Sequence, residues 1–172
     1  QKPRTAAREC EPLRLMISTI PLKGFKPADF NGALTSSINQ QFGAGKGGVL
    51  YQKAAALQKV RDRLMAIETL TVTTAEAVAD ELERYHAQLF WLEKRFDDHG
   101  ALLGVKFSWR CAWRQKDKTE HNDLGWERVG ALFNAAAAAS VCASFAQPKG
   151  PAEGGLREAV HKFQQAAGYL DL

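Results

Sequence analysis

Cysteine is scarce in this chain, and its spacing carries no pattern. Cys10, Cys111 and Cys142 form an odd set without a CxxC pair. That excludes a disulfide-stapled secreted domain and a cysteine zinc site, and it points to a reducing compartment, expected to be the cytosol. Histidine is equally sparse: His86, His99, His121 and His161 lie far apart with no HExxH among them, so no metal is expected. An excess of one charge sign is missing too. The net charge of +4, from 23 basic and 19 acidic residues, is scattered along the sequence. A nucleic-acid partner needs a clustered basic face, so none is expected; attraction to anionic surfaces would be weak. Apart from one alanine-rich stretch of low hydrophobicity per residue, no window approaches the roughly 18 apolar residues that span a bilayer, and the chain reads as soluble.

What is present is an ordinary globular composition, 45% hydrophobic and 24% charged over 172 residues, enough for one domain with a real core. Residues 1–15, QKPRTAARECEPLRL, set four basic side chains against Glu9 and Glu11. The glutamates, the prolines and the lack of serine argue against a transit peptide. A disordered leader ahead of a start at Met16 is expected, with the domain over 16–172.

Two segments lean towards β structure. LMISTIPL (15–22) has Pro21 near its end, and in VKFSWRCAW (105–113) Val105, Phe107 and Trp109 alternate with polar neighbours; the two are expected to pair in a small sheet. Between them three helices are expected. The first follows Pro27, with Phe30, Leu34, Ile38 and Phe42 along one face until GAGKGG (43–48) ends it. The second runs over 49–67, with Leu50, Ala54, Leu57, Leu64 and Ile67 inward and Lys53, Lys59, Arg61 and Arg63 largely outward. The third opens on a capping box of Thr73 with Glu76 and carries Val78, Leu82, Tyr85, Leu89, Leu92 and Phe96 as a packing seam. RQKDKTEHND then reads as a surface loop, Asn122 or Asp123 as the cap of a long helix reaching about Gln147, and PKGP as a break before a last helix from about Glu153.

Chemistry is hard to find in this pattern. GAGKGG invites a phosphate-loop reading, but GxxxxGK[ST] would need glycine where Gln40 stands and Ser or Thr where Gly47 stands, and the turn follows a helix, not a strand. A flexible helix-to-helix turn explains the glycines. Asp80 with Glu81 and Asp97 with Asp98 are adjacent positions that diverge on a helix, poor partners for acid–base work. Cys111 and Cys142 have no local base and read as structural. The four tryptophans could stack on bases or sugars, but Trp109 and Trp126 fall on the core pattern. No enzymatic activity and no cofactor are expected.

The alanine-rich stretch, GWERVGALFNAAAAASVCASFA (125–146), is apolar or small nearly all the way round. Alanine and glycine let neighbouring backbones approach, while Trp126, Leu132, Phe133 and Phe145 fill the remaining space, so this helix must be sandwiched on several sides. Trp126, Val129, Gly130 and Phe133 fit the W-x2-L-G-x2-Y opening of a tetratricopeptide hairpin, and Ala159, Phe163 and Ala166 fit its second helix, though with longer helices and a longer loop. The expected fold class is mostly α, with a small antiparallel sheet and long helices including a tetratricopeptide-like hairpin.

Three segments in order, FSWRCAW (107–113), GWERVGALFNAAAAAS and EGGLREAVHKFQQAAGYLDL (153–172), resemble the amino-terminal part of a BRO domain, the ALIX, HD-PTP and PalA family. They match F-[ST]-W-x-x-A-aromatic, aromatic-E-x4-LFN-x-AA and, with Val160 in place of the first alanine, G-L-x3-A-x-x-[FY]-Q-x-A-[AS]-G of that family, and the likeness runs from Met16 to Leu172. The resemblance implies a non-catalytic adaptor, cytoplasmic and endosome-associated, that recruits the carboxy-terminal helix of ESCRT-III subunits, the charged multivesicular body proteins, by helix-in-groove docking in multivesicular body sorting. Other endosomal adaptors are further partners, and the membrane is reached only indirectly. Aligned through GL-x3-A, the family's acidic residue and its two basic ones fall on Glu153, Arg157 and His161, spaced by four and so on one helical face. Histidine stands where the family tends to have lysine, which implies a contact that weakens as pH rises past neutrality. The simpler use of Glu153 and Arg157 is an exposed ion pair worth about 0.3–0.5 kcal/mol. The groove's apolar floor would come from helices beyond Leu172, so the chain is expected to be a fragment or a truncated gene model. The rival expectation is a helical structural module that pairs through an exposed edge with another protein or with itself.

Overall fold

The computed structural model describes residues 19–95, 103–146 and 154–171. Within them the order is α1 (Phe30–Phe42), α2 (Val49–Met65), α3 (Val72–Glu93), β1 (Phe107–Arg110), β2 (Lys118–His121), α4 (Leu124–Phe145) and α5 (Gly154–Leu170). The mostly helical class with a small antiparallel sheet is therefore as expected.

Helix ends are fixed by short polar side chains. Asp29 caps α1 by accepting from the Gly32 amide at 2.8 Å, and Gln58 of α2 reaches across to accept from the amides of Phe30 and Asn31 at 2.8 and 3.1 Å. A neighbouring helix thus satisfies donors that α1 cannot use itself. Asp123 caps α4 by accepting from Trp126. The cap of α3 differs from the expected Thr73–Glu76 box. Helix α3 starts two residues earlier, with Thr71 as N-cap and the Thr74 hydroxyl accepting from the Thr71 amide at 3.1 Å. The run TVTT offers two registers, and Glu76 is drawn instead to Lys162 of α5, 2.8 Å away.

The sheet also departs from expectation. β1 pairs with β2 in antiparallel register, Phe107 opposite His121 and Arg110 opposite Lys118, so part of the expected surface loop is a strand. On the other edge of β1 stands Phe25, bridged to Trp109, with Lys26 donating to Ser108 and Arg110 to Gly24. Residues 19–22 form no strand, and 15–18 lie outside the described residues. The reason is that α4 side chains take over the backbone groups that a ladder would have used. Ser140 accepts from the Ile20 amide at 2.9 Å, and the Asn134 amide both accepts from and donates to the Lys23 backbone at 2.8 and 2.9 Å.

Helix α4 is the centre of the molecule. From Gly130 to Val141 only Phe133 is less than buried. Its length and composition would suit a membrane span, but two-thirds of that stretch (67%) is buried inside the fold. Helix α3 lies on one side, contributing Leu82, Tyr85 and Leu89 of the expected seam as fully buried residues, with Val78 and Leu92 partly buried; Phe96 lies outside the described residues. Helix α5 returns along the other side, Ala166 and Tyr169 packing on Ala136 and Ala139. Two cross-links between α3 and α5, Glu76 with Lys162 and Glu83 with Tyr169, share the same sequence offset, so these helices run in the same direction. Phe145, expected to fill space beside α4, is instead exposed near its end.

Helix α4 and the sheet meet at Gly130. Trp109 lies flat on Gly130: a Cβ there would sit 2.2 Å from the indole. Phe25 stacks on the far side of the ring at 4.4 Å. Beneath them is a buried polar knot. Glu127 accepts from Arg61 at 2.9 Å, Tyr85 at 3.0 Å and Trp109 at 2.7 Å, and Arg61 also donates to the Lys26 carbonyl at 2.9 Å. Arg61 was expected to point largely outward but has no exposed surface. Its carboxylate partner and the rings of Phe25 and Phe107, with centroids 5.1 and 5.8 Å away, make burial tolerable.

Candidate functional site

Helix α5 has two different sides. The inner one, Ala159, Lys162, Phe163, Ala166 and Tyr169, is drawn onto α4 and α3. The small residues set the approach distance, and the two polar cross-links fix rotation about the helix axis. Hydrogen bonding to Glu76 holds the Lys162 ammonium above its ordinary range and the Glu76 carboxyl below its own. Burial, then the Glu83 carboxylate, pushes the Tyr169 phenol up, so it stays a neutral donor.

With rotation fixed, the outer side is determined. Arg157 and His161 are both exposed, four residues apart on one face. Glu153 lies outside the described residues, just ahead of the helix. Beside the two bases run Leu156 and Val160, 65% and 48% exposed. Sequence reasoning missed this apolar pair. Leu156 stands three residues before Ala159 and seven before Phe163, so its spacing places it with the inner face, and the local pattern gives no sign of its exposure.

Other candidates do not assemble into chemistry. Among the described residues no group of His, Cys, Asp and Glu is placed to hold a metal ion. Cys111 sits in the turn after β1, where the backbone amides of Arg114 and Trp113 pull its thiol below the ordinary range; burial pushes the Cys142 thiol up. Of the tryptophans, Trp109 is core and Trp126 half-buried against His121, whereas Trp91 and Trp113 are exposed and far apart in sequence. Among its described residues the α5 face carries no cysteine, serine or threonine. It offers a ridge of two apolar side chains flanked by bases, a surface suited to an amphipathic helix.

The family model of the BRO1-like domain matches residues 17–172. ALG-2 interacting protein X of Dictyostelium discoideum is 28% identical over 153 residues, covering 89% of this chain and 18% of that protein. The vacuolar protein-sorting protein bro1 of Aspergillus fumigatus is 29% identical over 148 residues, 86% of this chain and 14% of its own length. The chain thus spans less than a fifth of either relative. In a solved complex of the ALIX BRO1 domain with CHMP4C, the similar chain superposes with a TM-score of 0.74 at 24% identity over 88% of this chain and 43% of its own. The backbone likeness agrees with the three sequence motifs, of which Trp109, Glu127 with Asn134, and Ala166 are buried anchors in turn. With residues 17–172 matched by the family model, the chain belongs to the BRO1-like domain family.

Proposed function

We propose that this chain is part of an adaptor in endosomal protein sorting, non-catalytic, and that the outer face of α5 docks the carboxy-terminal amphipathic helix of an ESCRT-III subunit. Glu153, Arg157 and His161 form the polar edge of that contact, and Leu156 and Val160 form an apolar edge. The observation that carries the reading is the exposure of Leu156 and Val160 beside Arg157 and His161, on a helix whose other side is fully committed to the core. Support comes from the ALIX BRO1 domain solved with CHMP4C and from relatives named for vacuolar protein sorting. The endosomal location follows from the partner.

Magnitudes rank the two edges. Covering a leucine or valine completely is worth about 1.5–3 kcal/mol, whereas an exposed ion pair adds about 0–1 kcal/mol. The test is titration of a fluorescent ESCRT-III carboxy-terminal helix peptide against the wild-type chain, an Arg157→Glu variant and a Leu156→Ser/Val160→Ser variant. Circular dichroism melts establish that each is folded. Arg157→Glu should weaken binding several-fold and the double serine variant by at least about tenfold, the equivalent of 1.4 kcal/mol. Equal affinity in folded variants rejects the groove and leaves a helical structural module.

A further inference from the structure

The glycine-rich turn between α1 and α2 plays no part in the α5 site, and it is not a phosphate loop. Gly43, Gly45 and Gly48 adopt φ of 87°, 76° and 49°, conformations open to glycine at little cost. The amides of Gly43, Lys46 and Leu50 are spent inside the turn, on Asn39, Gly43 and Gly47 at 2.9, 3.1 and 2.9 Å, so they do not form an outward cradle for an anion. Gly47 is buried: a Cβ there would lie 2.4 Å from Ile38 and 2.6 Å from Tyr51. The glycines therefore build a compact, defined tip.

That tip presents apolar side chains to solvent. Phe42, Val49 and Leu50 are 53%, 62% and 40% exposed, and they flank the turn. The buried side chains of the pair, Phe30 and Leu34 on α1 and Ala54, Arg61 and Leu64 on α2, all lie away from it. The charge is one-sided. No aspartate or glutamate occurs between Asp29 and Asp62, while Lys46 and Lys53 are both exposed at this end. A protruding phenylalanine with two aliphatic neighbours, ringed by lysines and free of nearby carboxylates in sequence, is complementary to an anionic bilayer surface.

We propose that the α1–α2 tip inserts Phe42, Val49 and Leu50 into the interface of a membrane rich in acidic phospholipids, with Lys46 and Lys53 on the headgroup phosphates. This contact is independent of the α5 groove and places the chain directly on a membrane. Each basic residue near such a surface raises partitioning about fivefold, and two give a weak, reversible, salt-sensitive association.

Flotation of the whole chain with phosphatidylcholine vesicles, with and without phosphatidylserine, tests it. Wild type should float with the anionic vesicles only, and less so as salt shortens the screening length from about 10 Å at 0.1 M to about 3 Å at 1 M. Phe42→Ser/Val49→Ser/Leu50→Ser and Lys46→Glu/Lys53→Glu should each lower the bound fraction by at least about tenfold on the partition coefficient. Both sets lie at the surface, and melting curves verify that they fold; the lysine pair suffices should the serine variant melt early. Neither set should change ESCRT-III peptide binding, so failure here is separable from failure of the groove. No preference for anionic vesicles, or equal binding by folded tip variants, overturns the proposal. So does lipid-independent self-association that disappears in the serine variant, which would assign the tip to a protein contact.

Discussion

Glu127 shows how one side chain can hold several elements in register. Its two oxygens collect Arg61 from α2, Tyr85 from α3 and Trp109 from β1, and burial followed by this carboxylate pushes the Tyr85 phenol well above its ordinary range. Removing the carboxylate leaves a buried guanidinium without a counter-charge, at about 3–5 kcal/mol, a large share of the 5–15 kcal/mol that usually separates folded from unfolded. Urea unfolding of Glu127→Ala should show that loss. Arg61→Met/Glu127→Leu, which removes both charges, should be more stable than either single variant. His86 gives a pH effect of known sign. Burial, then the Arg128 cation, holds its imidazole below the usual range, with Glu93 opposing, and its Nδ1 is buried without a partner. The unfolded state therefore takes up the proton first. The contribution of His86 is complete above its unfolded pKa of about 6.5 and is lost as pH falls through the lower folded value. Between about pH 8 and pH 5 the urea midpoint of wild type should fall more than that of His86→Gln; parallel curves would exclude this role.

At the scale of elements, α4 answers to its neighbours more than to its own propensities. Alanine is the better helix former than glycine by about 1 kcal/mol, so Gly130→Ala on an isolated helix would stabilise. Here the new methyl would meet the indole of Trp109 at 2.2 Å, and that ring cannot retreat because Phe25 stacks on it and Glu127 holds its N–H. Overpacking of this kind costs about 1–3 kcal/mol and should outweigh the propensity gain. Thermal unfolding of Gly130→Ala should show a Tm lower by several degrees; a raised Tm would mean that the sheet can shift away from α4. The seam of α3 was legible because one long helix with a four-three repeat has only one apolar side to bury. The strand pairing was not. Residues 105–113 show a clear period of two, but which chain segment lies on each edge depends on where α4 places Ser140 and Asn134.

Across the whole molecule, α4 packs against α3 and α5, which are cross-linked to each other, and against the sheet and residues 20–26, while its Val129 and Phe145 stay exposed. The α1–α2 pair contributes Phe30, Leu34, Ala54 and Leu64 to the same core. The sequence by itself determined the mostly helical class, the approximate helix spans, the burial of the alanine-rich middle of α4 and the three BRO motifs, because periodicity, capping and small-residue packing act between residues close in the chain. Arg157 and His161 were legible as one face for the same reason. Only the tertiary structure decided that Arg61 is buried, that β2 rather than residues 15–22 completes the sheet, and that Leu156 and Val160 stand exposed beside the bases. Each of those depends on contacts between segments far apart in sequence, where a counter-charge, a hydrogen-bond acceptor or a fixed helix rotation is supplied by a distant residue that local pattern cannot identify.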